Sequence, residues 1–398
     1  MSRILKGKKI PAYHIMVIIV LAILLSQFVV NTKYTFPEPH QFKGDLLYNP
    51  YKDIGWKKWE LANFHAHTHL YLGLTSGYAN HDDSLVRYYK YFNYNIIGIS
   101  NYQNIDRFES KSKWYIPEYE HGYQYFKTHQ LVLNAKKVSW LDYFFRQTLD
   151  NKQYIIDNLK KDSSALLAIV HPDRRKAYCL SDFRYLGNYD CFEIADNEAL
   201  YTSYYDTILS SGHPVFLIGD DDTHDISKKN DACQTFNMIN SGLVRDSVLH
   251  AIRTGCLIAV RLPHQDLTNE KKKSEILELP KITGVTIRND TVSVSLNQIV
   301  RTIRFIGQNG VEKKKITDSE SGSYFFSNDD TYIRTEIECR DGSIYYLNPV
   351  FRYDGVGLID DPPEENIVKT WVWRTAVVVL TLVLIIAANR RRTILKLH

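Results

Sequence analysis

The chain has 398 residues, of which 44% are hydrophobic, and its 49 lysines and arginines against 45 aspartates and glutamates give a net charge of +4. This near balance excludes the strongly basic footprint of a nucleic-acid-binding protein, and five cysteines without metal-type spacing predict no disulfide framework. The sequence has no Gly-rich phosphate loop, no Gly-x-Ser-x-Gly elbow and no internal repeat, which excludes P-loop enzymes, α/β-hydrolases and solenoids.

The N-terminal region contains an apolar stretch from Ile15 to Val30, and four basic residues precede it. Its length and flanking charge predict a transmembrane helix over 11–31 behind a cytoplasmic basic tail over 1–10. A cleaved signal peptide is the alternative, but no small-x-small site follows the stretch. Residues 32–57 are expected to form an extended collar before the first domain.

The most informative segment of the chain is Phe64-His65-Ala66-His67-Thr68. Alternate residues of an extended strand lie on the same side, so the imidazoles of His65 and His67 can ligate one cation. Two ligands do not complete a site, and the others must come from elsewhere in the chain. Imidazole combined with carboxylate suits Zn, Mn, Fe or Ni better than Mg or Ca.

Two later apolar runs each lead into candidate ligands. Residues 166–170 precede His171, and residues 214–219 precede a cluster that contains Asp222 and His224. Both runs predict buried strands, and the carboxyl ends of parallel strands meet at one mouth, where α/β enzymes hold their active sites. A single histidine is more often a hydrogen-bonded core or surface residue, and an acidic run is more often a solvated turn. The combination of the motifs favours a metal site.

Together these motifs resemble the PHP (polymerase and histidinol phosphatase) family of metal-dependent phosphoesterases, over about residues 58 to 262. The family's bridging glutamate falls on Glu120, although Glu118 replaces the usual glycine. The resemblance implies an α/β fold, a distorted (β/α)7 TIM-like barrel. The positions that match the family's motifs are, in chain order, His65, His67, Glu120, His129, His171, Asp222 and His224.

The resemblance implies two divalent transition-metal ions (Mn, Zn or Fe) as cofactors. The two implied ligand sets are His65, His67, Glu120 and Asp222 for one ion, and Glu120, His129 and His171 for the other. Cations roughly 3.5 to 4 Å apart can activate a bridging water and stabilise charge on a phosphoryl group. The expected catalytic residues are Asp222 and His224, and His224 would serve as a general acid or a phosphate donor.

One motif departs from the family. The usual Thr-Asp-His after the second strand is replaced by Ser100-Asn101-Tyr102, so a third metal site is expected to be weakened or lost.

Arg174 and Arg175 are expected to bind substrate phosphate, and ordinary surface charge is the alternative. The residues expected to support the metal ligands from behind are Glu193, Asn197 and Asn101.

The composition changes after the barrel, which is expected over 58–262. A polar linker is expected over 263–280, and short alternating strands then predict a small C-terminal antiparallel β domain over 281–355. This part resembles the β-sandwich-like module of membrane-anchored PHP proteins. A second linker is expected over 356–370.

The apolar run 375–388 predicts a second transmembrane helix over 371–389, followed by a cytoplasmic basic tail over 390–398. Because both helices carry basic residues on their outer ends, we expect a two-pass cell-membrane protein with cytoplasmic termini and an extracytoplasmic body. The eight basic residues of the tails leave the remainder near −4, which again indicates no nucleic-acid partner. The expected partners are a lipid bilayer and a phosphorylated small molecule, sugar or lipid.

Three functions remain open from the sequence. The first is a membrane-anchored extracytoplasmic phosphoesterase that hydrolyses a phosphomonoester or phosphodiester through a water activated by two metal ions. The second is a catalytically degenerate PHP-like barrel that serves as a binding or assembly subunit in the envelope, which the missing Thr-Asp-His favours. The third is a metal-dependent hydrolase of another bond on the same barrel.

Overall fold

The computed structural model describes residues 12–68, 79–265, 267–358 and 360–394 of the chain. The fold is α/β, and strands are more numerous than helices. The helices are α1 (Ala12–Val29), α2 (Asp82–Tyr91), α3 (Leu149–Leu159), α4 (Thr202–Ser210), α5 (Arg245–Arg253), α6 (Asn269–Glu278) and α7 (Ile367–Ile394). Short 3-10 turns occur at Arg174–Lys176, Leu180–Arg184 and Gln308–Gly310.

The strands form two large sheets and one small ladder. In chain order the strands are β1 (Tyr34–Thr35), β2 (Leu46–Tyr48), β3 (Glu60–Asn63), β4 (Tyr94–Ile97), β5 (Glu118–His121), β6 (Gln130–Leu133), β7 (Leu166–Ile169), β8 (Cys191–Ala195), β9 (Phe216–Gly219), β10 (Thr235–Ile239), β11 (Leu257–Arg261), β12 (Ile282–Arg288), β13 (Thr291–Gly307), β14 (Val311–Phe325), β15 (Tyr332–Glu338), β16 (Ile344–Leu347), β17 (Val350–Tyr353) and β18 (Glu364–Glu365).

The smaller of the two large sheets has the strand order β5-β6-β7-β8-β9. β5, β6 and β7 pair antiparallel, whereas β7, β8 and β9 are parallel. Every residue of these five strands is buried. Strands covered on both faces show continuous apolar runs rather than alternation, which explains the runs that precede His171 and Asp220. β5 is more polar, and its Glu120 belongs to the candidate site.

The larger sheet has eleven strands, with the main order β12-β13-β15-β16-β11-β10-β3-β4. β14 pairs with β13, β17 pairs with β15, and β2 pairs with β17. β16 lies antiparallel to β11, with Ile258 opposite Leu347. The C-terminal strands therefore continue the same ladder that contains β3 and β4. The 263–280 segment, expected as a linker, contains helix α6.

Two isolated bridges join the sheets at the end that carries the candidate ligands. Tyr102, beyond β4, bridges Glu120 on β5, and Ala66, beyond β3, bridges Thr223, beyond β9. A hydrophobic core that includes Leu167 of the smaller sheet and Leu257 of the larger one fills the space between the sheets. The residues just past β3, β4 and β9 are thereby brought next to β5.

The seven strands β3 to β9 form a ring that the two single bridges close, and it departs from a regular (β/α)7 barrel in the antiparallel pairing of β5, β6 and β7. Among the described strands, parallel pairing occurs only at β3 with β4 and along β7, β8 and β9. The ladders form two separate sheets whose edges meet through single bridges. Strand direction depends on how connections cross the sheet, and the local sequence pattern does not contain that information.

The fold-class prediction was wrong in flanking this body with two transmembrane helices. Within the parts of the chain that the structure describes, no helix combines the length and the apolar character needed to cross a membrane. A helix that crosses a bilayer needs about 20 consecutive, predominantly apolar residues. The predicted tail 1–10 lies wholly outside the described residues, and the predicted tail 390–398 is described only as far as residue 394.

The same finding corrects the predicted location and the membrane keywords that went with it. A two-pass cell-membrane protein requires spanning helices, and the described helices do not meet that requirement. The expectations of cytoplasmic termini and an extracytoplasmic body depended on those two helices, whereas the bilayer partner stays a prediction. The C-terminal end of α1 packs against the N-terminal part of α7, where the Trp373 indole donates a hydrogen bond to the Phe28 carbonyl at 2.9 Å.

A buried ion triad ties helix α4 to strand β15. Arg334 donates through Nε and Nη2 to the two carboxylate oxygens of Asp206 at 2.6 and 2.8 Å, and through Nη1 to Glu336. Arg334 is 3% exposed and Glu336 is 4% exposed. Asp206 depends on this guanidinium for compensation of its burial, whereas Glu336 also accepts a hydrogen bond from Arg304 Nη2 at 2.6 Å.

We therefore predict that Arg334→Ala lowers the free energy of unfolding by about 3 to 5 kcal/mol, because it leaves buried charge uncompensated. Arg340→Ala is the matched control, since Arg340 pairs with Asp318 on an exposed surface and should change the stability by less than about 1 kcal/mol. Denaturant unfolding of the two variants tests this. Equal midpoints would contradict a structural role for the triad.

Candidate metal centre

The first histidine motif lies directly beyond β3 and is held against the segment beyond β9. The His67 amide donates to the Thr223 carbonyl at 2.9 Å, next to the bridge between Ala66 and Thr223. His65 and His67 are both fully buried. Because they stand two residues apart in extended backbone, both imidazoles reach the same interior space. The two ends of the predicted site, far apart in sequence, are therefore adjacent.

Glu120 on β5 lies at the centre of the site, and four imidazoles surround its carboxylate. Its Oε1 is 2.5 Å from His129 Nδ1 and 2.8 Å from His171 Nε2. Its Oε2 is 3.1 Å from His67 Nε2 and 3.4 Å from His65 Nε2. Burial alone would raise the pKa of Glu120, but His129 and His65 outweigh it and hold the pKa well below its usual range. This carboxylate is therefore ionised, as a metal ligand must be.

Asp222 closes the other side of the same space. Its Oδ1 is 3.0 Å from His67 Nε2, 3.2 Å from His65 Nε2 and 3.3 Å from His224 Nε2. Burial would raise its pKa, but Arg174 and His65 hold the pKa of Asp222 well below its usual range. Asp222 has φ +50° and His171 has φ +28°. Such backbone costs energy for residues with a Cβ and persists where surrounding contacts require it.

These side chains form two groups that fit a metal ion. The first group is His65, Glu120, His171 and Asp222, and the second is His67, Asp222 and His224; within each group the ligand atoms lie within 4.8 Å of one another. Among the described residues, His65 Nε2 and Glu120 Oε2 are buried without a hydrogen bond of good geometry. Buried polar atoms normally have a partner, and a cation with imidazole and carboxylate ligands would supply one.

Glu193 on β8 orients two of the histidines from behind. Its Oε1 is 2.9 Å from His65 Nδ1, and its Oε2 accepts from the His171 backbone amide at 2.7 Å. This contact leaves the Nε2 atom of His65 directed at Glu120 and Asp222. A carboxylate behind a ligating histidine fixes the tautomer and orientation of the ring. Burial raises the pKa of Glu193 to about 8.

The other predicted residues lie at different distances from the centre. His129 contacts Glu120 but belongs to neither of the two candidate groups. Asn101 binds the backbone and side chain of Thr68, just past the first motif. Asn197 donates to Asp231 and not to a candidate ligand.

The two arginines expected to bind phosphate are both engaged elsewhere. Arg174 Nη1 lies 2.7 Å from Asp222 Oδ2, so it reaches the centre but pairs with a carboxylate. Arg175 points to the Tyr125 loop, where it donates to the Tyr125 carbonyl at 2.9 Å and lies over the ring at 4.2 Å. Neither guanidinium fork is directed into open space beside the histidines.

Tyr102 is a site residue to which the sequence assigned no role beyond its place in the altered Ser100-Asn101-Tyr102 motif. Its ring stacks on His67 at 4.7 Å and 26°, and it lies 5.3 Å from the His129 ring. Burial and the charge of Glu120 raise the pKa of Tyr102 well above its usual range, so it stands in the site as a neutral phenol. The signal was available, because Tyr102 occupies the position of the missing family histidine.

Two further buried carboxylates support the centre from below. Asp220 Oδ1 accepts from the Phe64 amide at 2.6 Å, which fixes the start of the first histidine motif. Glu118, two residues before Glu120, fills the space over Gly98, where an added Cβ would lie 1.8 Å from its Oε1. Burial and the nearby Asp220 raise the pKa of Glu118 well above its usual range. Glu118 stands where the family usually has a glycine, and the lack of a side chain at Gly98 leaves room for it.

No protein-family model matches the chain, and no curated protein matches it in sequence. Among solved structures, the chain is similar to a two-domain protein from Bacteroides vulgatus ATCC 8482 that contains a predicted PHP-like metal-dependent phosphoesterase. The identity is 12%, the TM-score is 0.38, and the match covers 79% of this chain and 100% of that one. It is also similar to PsfC from Pseudomonas syringae PB-5123, with 13% identity, a TM-score of 0.32, and coverage of 48% of this chain and 87% of that one.

The description of the first of these neighbours names the family that the sequence motifs resemble. Both structural similarities are remote. The buried His, Glu and Asp cluster could by its own geometry hold a metal ion.

We predict that Glu193→Gln weakens metal binding by about 10- to 100-fold, as the loss of a carboxylate behind a ligating histidine does elsewhere. The introduced glutamine side chain has only one acceptor oxygen, so it cannot accept from both His65 Nδ1 and the His171 backbone N–H. Its NH₂ group would then face one of these two donors. Calorimetric titration of the metal-stripped chain with Mn²⁺ or Zn²⁺ measures the effect. Glu312→Gln on the exposed strand β14 is the control, and equal affinities in the two variants would contradict the role of Glu193.

Proposed function

We propose that this protein is a metal-dependent phosphoesterase that hydrolyses a phosphomonoester or phosphodiester of a small molecule, sugar or lipid. The observation that carries the proposal is the position of Glu120, whose buried, ionised carboxylate lies within 3.4 Å of nitrogens from four histidines. Few structural roles need such an arrangement, since an apolar core would be as stable without the cost of burying charge. Metal binding explains the donor set, because imidazole and carboxylate together are the ligands that transition-metal ions prefer.

The resident residues have distinct roles in this proposal. His65, Glu120, His171 and Asp222 would hold one divalent transition-metal ion. A second ion would draw on the remaining ligands around Glu120, whose carboxylate also contacts His67 and His129. Two such ions would supply an activated water and neutralise the charge that develops on the phosphoryl group. Asp222 presents one oxygen to the histidine side and keeps the other on Arg174. Glu193 holds the orientation of the His65 ring through its contact with Nδ1.

His224 is placed to transfer a proton at the edge of the centre. Its Nε2 lies 3.3 Å from Asp222 Oδ1, and its side chain keeps 16% of its surface accessible. Burial lowers the pKa of His224, but Asp222 outweighs it and the pKa is raised. A protonated imidazole in this position can donate to a phosphate oxygen or to the leaving group.

The alternative function is a catalytically degenerate barrel that binds a ligand without hydrolysing it. The observation that favours it is Tyr102, because a neutral phenol stacked on His67 occupies the place of a ligating histidine. A chain that binds metal tightly but hydrolyses no phosphoester would support this alternative.

We predict that the chelator-treated chain is inactive and that Mn²⁺, Zn²⁺ or Fe²⁺ restores hydrolysis of p-nitrophenyl phosphate or bis(p-nitrophenyl) phosphate. Asp222→Asn should lower the restored rate by at least about 100-fold, because losing a group behind a ligand already costs about 10- to 100-fold. Asp225→Asn is the matched control, since Asp225 lies three residues on and bonds to Ser227 instead. Equal activity in the two variants would refute the assignment of Asp222.

A further inference from the structure

Three carboxylates converge on the guanidinium of Arg174. Nη1 lies 2.7 Å from Asp222 Oδ2, and Nη2 lies 3.4 Å from Asp196 Oδ2 and 3.2 Å from Glu198 Oε2. The Arg174 side chain is 16% exposed, and those of Asp222 and Asp196 are fully buried. The guanidinium is thus a charge enclosed by oxygen ligands at the edge of the metal centre.

The carboxylates are held in place independently of Arg174. Asp196 Oδ1 accepts from the backbone amides of Glu198 and Ala199 at 2.7 and 2.6 Å, and its Oδ2 accepts from the Tyr201 hydroxyl at 2.7 Å. Asp222 is fixed by the contacts of its Oδ1 with the histidines. If the guanidinium were absent, Asp196 and Asp222 would therefore still direct oxygens at the space it occupies.

The position of Arg174 is set by the same loop that supplies a candidate ligand. The Arg174 amide donates to the His171 carbonyl at 3.1 Å, and Arg174 opens the short 3-10 turn that follows. A phosphate would have to displace the carboxylates to reach this fork, which already makes charge-assisted contacts on both terminal nitrogens. The geometry therefore does not favour Arg174 as an open phosphate donor.

We propose that Arg174 is a built-in cation, whose guanidinium fills the position that a further divalent ion would otherwise take between Asp222 and Asp196. The inference rests on the proposed metal centre. An arginine is charged at all relevant pH values, so this position is filled irrespective of metal supply. In this arrangement Asp222 Oδ1 faces the metal ions, which can dissociate, and Asp222 Oδ2 faces the permanently charged guanidinium of Arg174. Arg174 thereby limits how many ions the centre holds.

The test is the metal content of Arg174→Gln and Arg174→Ala in the full-length chain. The variants and the wild type are equilibrated with Mn²⁺, freed of unbound metal and measured by inductively coupled plasma mass spectrometry. The variants should contain about one more Mn²⁺ per chain than the wild type, because carboxylate and water ligands suit Mn²⁺. Arg175→Gln, which removes the neighbouring guanidinium on Tyr125, should match the wild type. Adding Asp196→Asn to Arg174→Ala should abolish the gain.

Thermal unfolding provides a second measurement that remains decisive if the variants are less stable. An ion that binds only the folded state raises the melting temperature with its concentration, so Mn²⁺ should stabilise Arg174→Ala more than it stabilises the wild type. Equal Mn²⁺ content and an equal thermal response in variant and wild type would overturn the inference. Wild-type chain that takes up no Mn²⁺, Zn²⁺ or Fe²⁺ would instead refute the proposed centre itself.

Discussion

The structure around the candidate site depends on one buried carboxylate, that of Glu120. An ionised carboxylate removed from water costs several kcal/mol unless partners compensate it, and here nitrogens of His65, His67, His129 and His171 lie against it. Those histidines come from three segments of the chain, next to β3, β6 and β7, and therefore from both large sheets. The requirement to compensate Glu120 therefore also explains why the ends of β3 and β7 approach β5.

A second set of interactions fixes the charge around this carboxylate. Asp222 faces the histidines with one oxygen and Arg174 with the other, and Glu193 fixes His65 from behind. These contacts hold the donor atoms in fixed positions, which lowers the reorganisation that binding and reaction require. The site is in this sense a preorganised set of donors on rigid strand ends rather than a flexible loop.

The local pattern predicted the parts of the site that depend on short-range geometry. The two-residue spacing placed His65 and His67 on one side, and the apolar runs placed His171 and Asp222 at strand ends. The rest depends on long-range contacts that no local pattern contains. The antiparallel pairing of β5, β6 and β7, and the pairing of Arg174 with Asp196 and Asp222, arise only when distant segments meet. The prediction of two transmembrane helices was wrong, because no helix in the described part of the chain is long and apolar enough to cross a membrane.

The most direct test of the account is the location of a metal ion in crystals of this protein grown with Zn²⁺ and measured at the zinc absorption edge. The account predicts an anomalous peak about 2.0 to 2.2 Å from His65 Nε2 and from carboxylate oxygens of Glu120 and Asp222, the usual zinc distances for nitrogen and oxygen ligands. A peak found only elsewhere, or none at saturating Zn²⁺, would contradict it. In that case the cluster around Glu120 would be a structural network of histidines and carboxylates.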